Sequence, residues 1–103
     1  MTTRVAILTG TGLGAVGVVN VWGDRALDVA DVAFRSIRNV KLSSTLAGRP
    51  YLGRVGAGLG DEVVAIVKPG STPEVEIHGH GGSAALRSVL DALVEAGAEP
   101  TNA

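Results

Sequence analysis

Glu74-Val75-Glu76-Ile77-His78-Gly79-His80 alternates polar and apolar residues, then meets Gly81-Gly82-Ser83 and a helical pattern. Period-two alternation is the signature of a strand with one buried face, so Val75 and Ile77 are expected to point into a core. Glu74, Glu76, His78 and His80 then share the opposite face. Ser83 can cap the following helix, in which Leu86, Val89, Leu90, Leu93 and Val94 form an apolar stripe and Gly97 supplies the stop.

Working outward, Val5–Leu8, Val16–Trp22, Tyr51–Val55 and Glu62–Val67 are short apolar or β-branched runs and read as further strands. Asp24 is a fair N-cap for DRALDVADVAFRSI, whose Leu27, Ala30, Phe34 and Ile37 fall on one helical face. Asn39–Arg49 and Lys68–Pro73 read as loops, the second because a proline near each end suppresses pairing. The expected order is ββαβββα. This is an α+β fold with a single mostly antiparallel sheet and two helices on one face, spanning 1–103 as one domain.

Gly12-x-Gly14-x-x-Gly17 carries the letters of a dinucleotide fingerprint, but that motif needs its last glycine to open a helix whose amides hold a pyrophosphate. Gly17 instead enters a valine-rich strand, and Asp24, Asp28 and Asp31 fall too early to hold a ribose. The glycines therefore read as a turn that needs positive φ or close backbone approach. Neither Lys41 nor Lys68 stands in a P-loop pattern, so no nucleotide is expected by that route.

Composition narrows the classes further. The 103 residues carry nine Lys and Arg against ten Asp and Glu, a net charge of −1, with three aromatic residues and no cysteine. Scattered basic residues and few stacking rings argue against direct nucleic-acid binding. The local cluster Arg35, Arg38 and Lys41 reads as a solvated helix end. Zero cysteines remove disulfides and thiolate metal sites and fit a reducing compartment, so a cytoplasmic location is expected. No apolar run reaches membrane-spanning length, and the N-terminus shows no signal-peptide pattern.

His78-Gly79-His80-Gly81-Gly82-Ser83 is the richest stretch, and several readings stay open. Glu76, His78 and His80 offer metal ligands, but i and i+4 on a strand lie about 13 Å apart, so all three cannot reach one ion. His78 with His80 could supply two ligands. Gly81-x-Ser83-x-Ala85 is close to a nucleophile elbow, yet both histidines precede the serine and the hydrolase sheet exceeds this length. A structural reading has one histidine bonding loop backbone while Gly81 and Gly82 turn the chain, and a small anion at the helix start is the last. Asp61-Glu62 reads as a solvated hairpin end, and Trp22 as a ring capping the core or an interface.

VEIHGHGGSAALRSVLDALVEAGAEP (Val75–Pro100) strongly resembles the N-terminal domain of the tRNA-modification GTPase family called MnmE or TrmE, which runs V-E-I-H-C-H-G-G and then a helix ending E-A-G-A. GLGAVGVVNVWG (Gly12–Gly23) resembles that family's G-R-G-G-V-G-I-I-R-V-S-G, and Arg49–Gly53 and Asp61–Val67 resemble its middle strands.

The resemblance implies a fold akin to the folate-binding domain of the glycine-cleavage T protein. It also implies a homodimer with a tetrahydrofolate derivative, such as formyltetrahydrofolate, near the interface, and a protein partner in wobble-uridine modification. The residues it assigns to the site are His78, His80, Gly81, Gly82, Gly12 and Gly14, with Ser83 at the helix start and Asn20 at a front-motif position. No metal is expected. Leu13 and Asn20 stand where the family has arginines, Trp22 replaces its serine and Gly79 its cysteine. Arginine suits bidentate capture of carboxylates, so the front motif lacks that chemistry for the glutamate tail of a folate. The resemblance stops short of the GTPase and cysteine-bearing helical domains, so independent catalysis is not expected. The rival expectation is a dimerisation or protein-interaction module with a vestigial pocket.

Overall fold

A computed structural model describes residues 2–8 and 17–101. In chain order the elements are β1 (Arg4–Ile7), β2 (Gly17–Trp22), α1 (Ala26–Ala33), β3 (Phe34–Ser36), β4 (Pro50–Val55), β5 (Asp61–Val67), β6 (Glu74–Gly79), α2 (Ser83–Glu95) and β7 (Glu99–Pro100), with a 3-10 turn at Leu42–Ser44. The strands form one sheet ordered β3-β4-β5-β6-β2-β1-β7. Only the β1–β7 pairing is parallel among the described residues. The α+β class and the mostly antiparallel sheet are therefore as expected, and two short edge strands, β3 and β7, add to the expected order.

Alternation sorts the sheet into two faces. Val5, Val19, Val21, Val55, Val63, Ala65, Val75 and Ile77 are buried on the face that both helices cover. Each such aliphatic side chain contributes roughly 1.5–3 kcal/mol when withdrawn from water, so this layer dominates the stability of the fold. Helix α1 brings Ala26, Val29, Ala30 and Ala33 to it, and α2 brings Leu86, Val89, Leu90 and Leu93. Gly17 lets α2 approach: a Cβ there would collide with the Leu86 side chain.

The first helix is shorter than its periodicity predicts. It stops at Ala33, and Phe34 is already extended (φ −98, ψ 129) and paired with Val55 across β3–β4. The reason lies across the ladder: Gly53 leaves the space that the Phe34 ring fills, and a Cβ there would come within 2.6 Å of Phe34 Cε1. Tertiary packing of one aromatic ring thus overrides a helical pattern. Arg35, Arg38 and Lys41 consequently follow the helix end in β3 and the connection after it, and are not a helix terminus.

Nor do the expected caps form. Arg25, not Asp24, takes the N-cap position of α1, and its N–H donates to Thr3 Oγ1 (2.9 Å). Gly82 takes the N-cap position of α2, with Ser83 its first helical residue, because extended backbone at Gly82 (φ −68, ψ 148) is what joins β6 to the helix. The stop at Gly97 holds, with its N–H on the carbonyl of Val94. No helix among the described residues is long and apolar enough to cross a membrane.

Candidate functional site

Among the described residues, no helix covers the second face of the sheet. Register places Val18, His78, Val64 and Leu52 in one row across β2, β6, β5 and β4. Asn20, Glu76, Ile66 and Pro50 form the next row, and Trp22 and Glu74 begin a third. Residues directly opposite on one face have Cβ atoms about 5 Å apart, so these side chains are mutual neighbours.

Polar groups on this face are linked in two short chains. Lys68 Nζ donates to Glu76 Oε2 (3.2 Å) and His78 Nε2 lies 3.0 Å from Glu76 Oε1. Asn20 Nδ2 donates to Glu74 Oε2 at 2.9 Å. The hydrogen bond from His78, reinforced by Lys68, holds the Glu76 carboxyl below its ordinary value of 4.5 against the opposing effect of its burial.

Asn20 is the unusual member. It is 7% exposed, and its Oδ1 is a buried acceptor with no donor among the described residues. A buried amide oxygen left unpaired costs about 1–3 kcal/mol, and such a group is a common mark of a ligand position. One row away, at His78, lies a hollow of about 240 Å³ lined by Leu52, Glu62, Val63, Val64, His78, Gly79 and His80; Asn20 does not itself line it.

The expected site residues are thus partly gathered. Asn20 and His78 stand in adjacent rows of neighbouring strands. His80 lies just beyond the end of β6, exposed, and lines the same hollow as His78. No group of three or more potential metal-binding side chains comes together among the described residues. Gly81 is buried and Gly82 exposed in the turn into α2, and Ser83 opens that helix. Gly12 and Gly14 lie outside the described residues, whereas Gly17 does enter a strand, which removes the dinucleotide reading. His78 bonds a neighbouring carboxylate and not loop backbone.

Glu74 and Lys68 complete the polar chains and were not singled out as site residues from sequence. Alternation had already placed Glu74 on this face. Lys68 carries no such signal: it lies past the end of β5 and reaches Glu76 because its own N–H pairs with the carbonyl of Glu74 (2.9 Å).

Comparison with known proteins agrees with this architecture. The family model described as the GTP-binding protein TrmE N-terminus matches residues 3–103. Proteins named tRNA modification GTPase MnmE are similar to the chain: that of Symbiobacterium thermophilum is 38% identical over 93% of the chain, and that of Chlorobium phaeobacteroides 41% over 92%. The protein of Halorhodospira halophila is 39% identical over 95%. The chain spans only 21% to 23% of the length of these three relatives. With a model matched along nearly its whole length and relatives above 30% identity, the chain belongs to the TrmE N-terminal domain family.

Proposed function

We propose that this chain is a binding module that holds a reduced folate on the uncovered face of its sheet, as a homodimer serving tRNA wobble-uridine modification without catalysis of its own. The observation that carries the reading is the buried Oδ1 of Asn20, without a donor among the described residues, on the same face as the carboxylates of Glu74 and Glu76. The reduced pterin ring presents an amino group and ring N–H groups on one edge, and acceptors of this kind complement that edge. Val18, Val64 and Leu52 offer an apolar surface for the ring system next to them. His78 holds Glu76 in place, and the turn through Gly81 and Gly82 sets the height of the rim at His80. No contact with RNA is part of this reading.

A second reading is favoured by one specific observation: both oxygens of Glu76 are already engaged within the chain, by Lys68 and His78. A pocket whose carboxylate has closed on its own neighbours is what a protein-interaction module with a vestigial site would show. Exposed Leu8 and Leu52 on the same face would then serve a protein partner.

Isothermal titration with formyltetrahydrofolate separates the two. Saturable binding in the micromolar range, about −8 kcal/mol, supports the folate module. His78→Ala should then weaken it about tenfold while light scattering still shows a dimer. Absence of heat together with an unchanged melting temperature would leave the interaction module standing. A monomer in light scattering would remove the dimer from either reading.

A further inference from the structure

Four arginines, Arg35, Arg38, Arg49 and Arg54, stand in or next to the paired strands β3 and β4. Two of them, Arg35 and Arg54, are occupied: they donate to the carbonyls of Gly58, Leu59 and Gly60 in the β4–β5 turn. Arg38 and Arg49 are different. Both line a groove of about 490 Å³ whose remaining walls are Ser36, Tyr51 and the apolar Ile37, Pro50 and Leu52. Neither guanidinium makes an ion pair or hydrogen bond among the described residues, while Lys68, His78 and Arg87 all have carboxylate partners.

Two unpaired guanidiniums beside one groove form a fork suited to carboxylates, and the apolar walls suit an anion carried on an organic chain over a bare inorganic ion. Leu52 lines both this groove and the hollow at His78. The two hollows therefore meet at Leu52 in β4, and His78 in β6 lies two ladder spacings from that strand, about 10 Å. That is a reach comparable to the aminobenzoyl arm between the pterin and the glutamate of a folate.

We propose that the Arg38–Arg49 groove is an anion subsite for the glutamyl tail, and that it selects oligoglutamyl over monoglutamyl folates. The proposal rests on the folate reading above. It supplies, from the connection between β3 and β4, the carboxylate-binding chemistry that Leu13 and Asn20 do not offer in the front motif.

Titration of the full chain with the mono- and triglutamate forms of formyltetrahydrofolate tests it. Wild-type protein should bind the triglutamate at least tenfold tighter, with an advantage that shrinks as salt is raised. The double variant Arg38→Ala/Arg49→Ala should lose that advantage and bind the monoglutamate no more than about threefold more weakly. Both positions are exposed, so an unchanged urea midpoint is expected for the variant. Equal wild-type affinity for the two forms, or an advantage retained in the double variant, would overturn the tail subsite and leave the folate module in place. Binding of neither form by the wild type would overturn both.

Discussion

Two isoleucines, Ile77 in β6 and Ile66 in β5, sit on adjacent strands and opposite faces, and the difference between them describes the molecule. Ile77 is 1% exposed under the helices, in a layer made almost entirely of aliphatic side chains. Ile66 is half-buried in a row with Asn20 and Glu76, on a face that mixes apolar surface with carboxylates, an amide, an imidazole and a lysine. One face makes the fold. The other has the inventory of a recognition surface, and its side chains are freer to change without unfolding the protein.

The largest expected effect breaks the first face. Ile77→Ala removes a fully buried side chain from the central layer and should cost about 2–5 kcal/mol in urea denaturation. Ile66→Ala should cost well under half as much. Equal losses would show that the open face is covered in solution, by a second copy or another partner, and contributes to the core.

Next in size is Gly17→Val. The position faces α2 at Leu86, and a branched side chain there forces the helix away from β2, at about 1–3 kcal/mol. A melting temperature within a degree of wild type would mean that α2 is not held as closely as this contact implies.

How far the sequence reveals these two faces depends on the range of the interactions that build them. Val75, Ile77 and the α2 stripe are legible because strand and helix periods are local properties of the chain, and the same alternation correctly sets Glu76 and His78 on the far side. The end of α1 is not legible. Phe34 fits the helical period, and what draws it into β3 is the empty space over Gly53, nineteen residues further on. The Arg38–Arg49 groove is hidden for the same reason, since only the β3–β4 pairing brings the two residues together. Asn20 was visible as a departure from a family motif, but its buried, unpaired oxygen depends on a packing that no spacing encodes.

A smaller effect sharpens the comparison through pH. The Glu76 carboxyl titrates below its ordinary 4.5 in the folded protein, chiefly because of the hydrogen bond from His78. A depressed folded value means that this group's contribution is complete above pH 4.5 and is lost as pH falls through the lower, folded value. Glu76→Gln should therefore reduce stability by about 1 kcal/mol or less at pH 7 and flatten the acid limb of the stability profile. An acid limb identical to that of the wild type would show that Glu76 is not paired with His78 and Lys68 in solution.

The smallest expected change in stability is the most informative about function. Asn20→Leu removes a buried amide whose oxygen has no donor among the described residues, and fills the space with apolar volume. Exchanging an unsatisfied polar group for an apolar one of similar shape is near neutral or stabilising. The lost bond to Glu74 costs little, because that carboxylate is only half-buried and water can replace the amide. Urea denaturation should thus place the variant within about 1 kcal/mol of wild type, on the stable side if anywhere, while formyltetrahydrofolate binding is lost. Unchanged binding would detach Asn20 from the ligand site. A loss of stability above 1 kcal/mol would show that the amide oxygen is satisfied in solution, so that the uncovered face carries part of the fold after all and the division between the two faces is less sharp than the isoleucine pair implies.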